Sequence, residues 1–371
     1  MMKKYPISQP TLGKLEEDYV LDALKSGWVS SLGPYIERFE KAFAQFCQAK
    51  YALTTSNGTT GLHLALLAAG VGVGDEVIVP DMSFIATANA VAYTGATPIF
   101  VDIEESTLCI DSDCIEKAIT PKTKAIIPVH LYGHPANMGE INRVSKKFGL
   151  AVIEDAAEAH GATYLNKPVG GLGTCGVFSF YGNKIITTGE GGMIVTNDEH
   201  IYERAKMLRD HAMSPNKRYW HNEVGYNYRM TNIQAALGLA QLEQIDLFIK
   251  KRTQILQWYE DALGAYKNIQ LNRKATWAKS VPWIICAEID GMGHDARDLL
   301  IGLLRNKGVD SRPYFYPMSD MPMFKSMDTK IAHQISQSGI NLPTYLELTQ
   351  DDVQHISSQL IQSLNELGLI K

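Results

Sequence analysis

The chain has 371 residues, of which 45% are hydrophobic and 20% charged, and its formal net charge is -5. That length exceeds what one hydrophobic core usually serves, so a larger and a smaller domain are expected. The charge balance leaves no basic footprint for nucleic acid, no apolar run reaches the about 18 residues of a membrane span, and residues 1–6 lead into no apolar stretch of a signal peptide.

Taken in chain order, residues 11–27 read as a helix, with Leu12, Leu15, Tyr19, Val20, Ala23 and Leu24 at helical spacing. The run 27–34 interrupts it, and a second helix covers about 35–47. A short strand at 52–55 leads to the turn Ser56-Asn57-Gly58-Thr59 and an apolar helix over 62–69. Strands then alternate with helices: strands at 76–79, 98–102, 125–129 and 150–154, helices at 85–93, 113–119 and 138–148. This alternation predicts an α/β domain with a mainly parallel sheet. Further strands are expected at 176–180 and 192–196, then a helix at 198–209. One long helix is expected over 232–263, with the domain boundary near residue 245. The remainder (strand 281–288, helix 295–307, strand 309–314, helix 351–367) reads as a small α+β domain. The five cysteines (Cys47, Cys109, Cys114, Cys175 and Cys286) show no CxxC pairing. They read as reduced, buried thiols of a cytosolic protein, and no metal is expected.

The residue with most to say about chemistry is Lys184. It lies in a glycine-rich, nearly uncharged loop, Ser179-Phe180-Tyr181-Gly182-Asn183-Lys184, and follows the apolar segment Ala151-Val152-Ile153-Glu154-Asp155. Pyridoxal 5'-phosphate (PLP) chemistry requires such a pair. A lysine amine bonds covalently to the cofactor aldehyde, and an acid keeps the pyridine nitrogen protonated. Asp155 ends a strand, where open α/β sheets place ligands, though an acid before Ala156-Ala157 also reads as a helix cap. Glu158 is either part of a capping box or a neighbour of the cofactor's phenolic oxygen. Gly58 and Thr59 open a helix whose first N–H groups suit a phosphate; many such turns only cap helices. Phe84 is a candidate to stack on the ring or a core phenylalanine. Ser179 is placed to offer its hydroxyl to the phosphate. Asn227 lies in a polar, aromatic entry to the long helix, with Thr231 as its N-cap.

The order of these motifs resembles that of the sugar-nucleotide aminotransferases, PLP enzymes of the aspartate-aminotransferase fold (fold type I). The segments are Ser56-Asn57-Gly58-Thr59, Gly74-Asp75-Glu76-Val77-Ile78-Val79-Pro80, Ile153-Glu154-Asp155-Ala156-Ala157-Glu158, Ser179 to Gly192 and Gly225-Tyr226-Asn227-Tyr228-Arg229-Met230-Thr231. Within that family the chain looks most like the GDP-perosamine synthases, through Phe180-Tyr181-Gly182-Asn183-Lys184, Arg218-Tyr219-Trp220-His221 and Ser311-Arg312-Pro313.

The resemblance implies transfer of an amino group from L-glutamate to C4 of a nucleotide-linked 4-keto-6-deoxyhexose. The alternative is a dTDP- or UDP-linked keto sugar aminated at C3 or C4. It makes Lys184 the catalytic amine, Asp155 the pyridinium partner, Phe84 the stacking ring and Glu158 the neighbour of the phenolic edge. Gly58, Thr59 and Ser179 would hold the phosphate, and Asn227 would reach the cofactor phosphate of a second subunit. Trp28, Ser30, Ser31, Arg229, Arg312 and Tyr316 fall where the family contacts donor or sugar nucleotide. It further implies a homodimer with shared active sites, or a tetramer, working in the cytoplasm on surface-polysaccharide synthesis. Ser319 departs from the pattern, since the synthases commonly carry histidine there. Dehydratases of the family replace the lysine by histidine, which argues against that activity here. A non-catalytic binding protein on this fold is the other competing class, and the sequence lacks P-loop and dinucleotide-binding glycine motifs.

Overall fold

The computed structural model describes residues 3–370. In chain order the strands of the first part are β1 (Tyr51–Thr55), β2 (Glu76–Pro80), β3 (Thr97–Val101), β4 (Thr123–Ile126), β5 (Ala151–Asp155), the short β6 (Thr163–Tyr164) and β7 (Lys167–Pro168), β8 (Cys175–Ser179) and β9 (Gly192–Thr196). Its helices are α1 (Lys14–Lys25), α2 (Pro34–Phe46), α3 (Gly58–Ala68), α4 (Ala86–Tyr93), α5 (Ser112–Ala118), α6 (Met138–Phe148), α7 (Glu199–Arg209) and α8 (Asn232–Leu242).

Seven of these strands form one sheet in the order β1-β9-β8-β5-β4-β2-β3. β9 alone runs against its neighbours; the β8-β5-β4-β2-β3 pairs are parallel. Because β1 and β8 both oppose β9, six strands end on the same edge, and their following loops share one crevice. Strand residues alternate between two apolar layers. Ile78, Val152 and Phe178 face α2, α6 and α8, while Val77, Ile153 and Val177 face α3, α4 and α7. Burial of both faces explains why these strands read as unbroken apolar runs rather than alternating ones.

The expected single helix over 232–263 is two helices, α8 and α9 (Ile245–Leu263). No proline or glycine separates them. The side chain of Gln244 donates to the Ala240 carbonyl (3.1 Å) and to Glu16 (2.7 Å), while its backbone N–H turns to Gln241 instead (3.2 Å). The amide side chain thus takes the carbonyl that a continuous helix needs for its own ladder. The second part adds β10 (Ile269–Leu271), β11 (Ala278–Lys279), β12 (Ile285–Ile289), β13 (Arg312–Pro313) and β14 (Gly339–Leu342). Its helices are α10 (His294–Asn306), α11 (Lys330–Ser338) and α12 (Gln350–Glu366). Four of these strands form the sheet β10-β12-β14-β13, and a third apolar cluster gathers Ile255, Tyr259, Leu300, Ile340 and Leu360. The strand expected over 309–314 shrinks to β13, because Val309 bridges to Tyr5 instead. α11 and β14 were not among the expected elements.

α8 lies on α2 with backbones close together. A Cβ added at Gly238 would sit 2.6 Å from the Phe39 ring and 2.7 Å from Thr188. Gly238→Val is expected to lower unfolding free energy by about 1–3 kcal/mol, the usual effect of overpacking a filled core. Urea denaturation measures this, and a variant as stable as the parent contradicts the packing described.

Candidate active site

The crevice at the strand ends holds a cavity of about 580 Å³, and Gly58, Thr59, Phe84, Asp155, Glu158, Ser179 and Lys184 all line it. They arrive from four strand ends, those of β1, β2, β5 and β8, which is why residues 126 positions apart in the chain meet there.

α3 begins at the cavity wall. The Asn57 side chain accepts the Thr60 N–H (2.8 Å), while Gly58 and Thr59 belong to the first turn, whose N–H groups have no carbonyl ahead of them. Gly58 packs on Ser179 at the end of β8: a Cβ there would lie 2.9 Å from the serine's own Cβ, so only glycine lets helix and hydroxyl converge. The result is a small cradle of donors with the helix dipole behind it.

Asp155 is buried and no helix follows β5, so the capping alternative for this acid falls away. Its carboxylate accepts the Thr87 hydroxyl (2.7 Å) and the Ala157 N–H (3.2 Å). Burial holds its carboxyl above the ordinary carboxylate range, and these two donors and Lys184 oppose that shift. Glu158 is likewise raised by burial, with the nearby Lys184 pulling it back down. A buried carboxyl with a raised pKa is poised for a cationic partner. Phe84 is 56% exposed at the cavity's rim, which excludes the core reading.

Lys184 reaches in from the loop after β8. Its Nζ lies 3.5 Å from Glu158 and 4.0 Å from the centre of the Trp283 ring, with only 11% of the side chain exposed. Trp283 comes from the second part of the chain and donates its indole N–H to the Asn183 carbonyl (2.7 Å), the residue beside the lysine. Glu158 is fixed from behind by the Tyr132 N–H (2.8 Å). Tyr132 in turn sits in a turn anchored by His130, whose Nε2 meets Glu154 (3.0 Å) while its Nδ1 accepts the Ala136 N–H (3.0 Å). With Nδ1 accepting, Nε2 is the ring nitrogen that donates to Glu154. Glu154 also accepts the N–H groups of Gly170, Leu172 and Gly173, each at 2.7 Å.

These groups suit a phosphate beside a ring cation: the free first turn of α3 with Ser179 would take the one and buried Asp155 with Phe84 the other, a set that fits PLP.

A model of the DegT/DnrJ/EryC1/StrS aminotransferase family matches residues 10–361. The chain belongs to that family. GDP-perosamine synthase of Caulobacter vibrioides is 47% identical over 367 residues, covering 98% of this chain and 99% of the relative. The Escherichia coli O157:H7 enzyme of the same name is 45% identical over the same shares. Among solved structures, the PLP form of a sugar aminotransferase described as putative, Spr1654 from Streptococcus pneumoniae, superposes with a TM-score of 0.93 at 28% identity. That match covers 99% of this chain and all of the other.

The family's other expected contacts do not line this cavity. Arg229 is engaged by Asp210 (2.9 Å) and donates to the Asn227 side chain (3.0 Å). Arg312 pairs with Asp310 (3.1 Å). Tyr316 accepts from buried Arg297 (2.9 Å) and stacks on His294. Trp28, Ser30 and Ser31 lie in the α1–α2 connection, where the Trp28 and Ser30 carbonyls accept from Asn232. Reading the sequence missed Trp283, Tyr132 and Thr87. Neither Thr87 nor Trp283 had a local signal, because Asp155 lies 68 positions after the one and Asn183 100 positions before the other.

Asp155 supplies a stability test. Its raised carboxyl binds a proton more tightly in the folded than in the unfolded chain. Its contribution therefore opposes folding as pH rises from about 3.9 through the raised value. Asp155→Asn is expected to raise the melting temperature of the cofactor-free protein above that range, on the order of 2 °C, with the gap closing near pH 4. Thermal melts across pH check this; a gap of opposite sign removes burial as the cause.

Proposed function

We propose that this chain moves an amino group from L-glutamate to C4 of a nucleotide-linked 4-keto-6-deoxyhexose, with GDP as the nucleotide. The observation that carries the reading is the Lys184 amine held between Glu158 and Trp283, in a cavity whose other walls are Asp155 and the start of α3. Near full-length similarity to GDP-perosamine synthases supports the choice of sugar.

PLP, when bound, supplies an aldehyde that carries the amino group and a ring that accepts electrons. The N–H groups of Gly58 and Thr59 and the hydroxyl of Ser179 would hold its phosphate. Asp155 would keep a proton on the ring nitrogen, and that charge would relieve the cost of burying the carboxylate. Phe84 would stack on the ring and Glu158 would neighbour its phenolic oxygen. The Lys184 amine would take the proton from the donor's Cα as base and would return one to the sugar carbon as acid. Glu158 and Trp283 keep that amine in place between the two steps.

The acceptor contacts we assign to Trp28, Ser30, Ser31, Arg312 and Tyr316, and Arg229 to an acidic group of donor or acceptor. Asn227 is assigned to the cofactor phosphate of a second subunit, in a homodimer with shared sites or a tetramer. Exposure of Tyr219, Trp220 and Val224 just before Asn227 supports such a partner. We place the domain boundary near residue 245, supported by the α8–α9 break. We place the activity in the cytoplasm, in synthesis of a surface polysaccharide. Among the described residues no helix is long and apolar enough to cross a membrane.

The protein is expected to purify yellow and to lose that absorbance on addition of glutamate. It should then aminate a GDP-linked 4-keto sugar in preference to dTDP- and UDP-linked ones. Lys184→Ala is expected to lose both the covalent cofactor absorbance and turnover, a fall of at least about 10³-fold. Chromatography of the sugar products reads the panel; a Lys184→Ala protein that still turns over refutes the lysine's role.

A further inference from the structure

Residues 315–332 follow the strand β13 of the small sheet, yet they are bound to the large one. Phe315 donates its N–H to the Tyr132 hydroxyl (3.1 Å), and Pro317 bridges to Met82. The Met318 N–H donates to the Asp81 carbonyl (2.6 Å), and the Met318 side chain joins the apolar layer of α3 and α4. Phe324 packs edge-on against Phe100 of β3. Further on, the two carboxylate oxygens of Asp102 accept the N–H groups of Ile331 and Ala332 (2.9 Å each), at the start of α11.

At the centre is Asp81, fully buried at the end of β2 and three residues before Phe84. Its carboxylate accepts the Ser319 N–H (2.7 Å), the Ser319 hydroxyl (2.8 Å) and the Thr329 hydroxyl. Ser319 is therefore buried and already engaged, and it presents nothing to a ligand. The same strand end thus carries the cavity's Phe84 and, through Asp81, the segment bearing Phe315 and Tyr316. Phe315 lines the cavity with its ring 6.0 Å from that of Phe84.

We propose that Asp81 is a positioning residue for the acceptor sugar nucleotide. Through Ser319 and Thr329 it ties the segment that follows the cavity wall residue Phe315 and its neighbour Tyr316 to the sheet edge that carries Phe84. The inference rests on the acceptor reading above. The small domain holds Tyr316 through Arg297 and His294, while Asp81 ties the residues just after it to the large sheet. A small amino donor needs only the interior of the cavity, so loosening this wall affects the acceptor step selectively.

The test uses Asp81→Asn and Ser319→Ala in the full-length, cofactor-loaded protein, with Ser319→Thr as the conservative control. Hydrogen exchange should show the amides of Met318 and Ser319 losing protection in the first two variants and keeping it in the control. KM for the keto sugar should rise about tenfold, the equivalent of one lost charge-assisted hydrogen bond, with kcat within about twofold. Bleaching by glutamate alone should keep its rate, which a general loosening of the fold would not allow. Unchanged protection in Asp81→Asn and Ser319→Ala overturns the proposal, and so does an equal slowing of both half-reactions. If the wild type aminates no sugar on the panel, the acceptor reading fails by itself. Hydrogen exchange then still decides whether Asp81 holds the segment.

Discussion

Two adjacent acids end β5, and the pleat of that strand sends them to opposite faces of the sheet. Glu154 goes to the structural side, where it collects His130 and three backbone N–H groups of the loop 170–173. Asp155 goes to the side of α4, where Thr87 meets it. One register decides both. A slip of one residue would aim the catalytic candidate at the scaffold and the scaffold acid at the cavity. The loops that bring Tyr132 to Glu158 and carry the chain into β8 towards Ser179 and Lys184 are tied to this pair.

That arrangement has an electrostatic consequence. Asp155, Glu158 and Lys184 are packed where water is scarce, and burial raises both carboxyls above their ordinary range. Thr87 and the Ala157 N–H on Asp155, and the Tyr132 N–H and Lys184 on Glu158, offset part of the cost of burying these charges. The scaffold offsets this with fully satisfied networks elsewhere: Glu154 with four donors, and Asp81 with three from the segment that returns from the small sheet.

The main sheet was legible because its strands are apolar on both faces and alternate with amphipathic helices, a pattern local in the chain. That several candidate residues would share one cavity was legible for a related reason. Gly58, Phe84, Asp155, Ser179 and Lys184 each sit at a strand end or helix start, and strand ends on one edge converge. The α8–α9 break was hidden, since no proline or glycine marks it; a glutamine side chain reaching Glu16 and the Ala240 carbonyl makes it. The hold on Ser319 was hidden as well, because Asp81 lies 238 positions before it.

The sequence alone determined which groups are available for chemistry: one lysine in an uncharged glycine-rich loop, a strand-end acid, and a glycine where a helix must press against a serine. These follow from local rules of backbone and side chain, and from motif order. Only the tertiary structure decided what surrounds them. It set Trp283 against the lysine, Tyr132 behind Glu158, and a segment of the small-sheet region onto the large sheet through Asp81. Such contacts join residues about 25 to 240 positions apart, and no local pattern encodes which distant partner fills a given place.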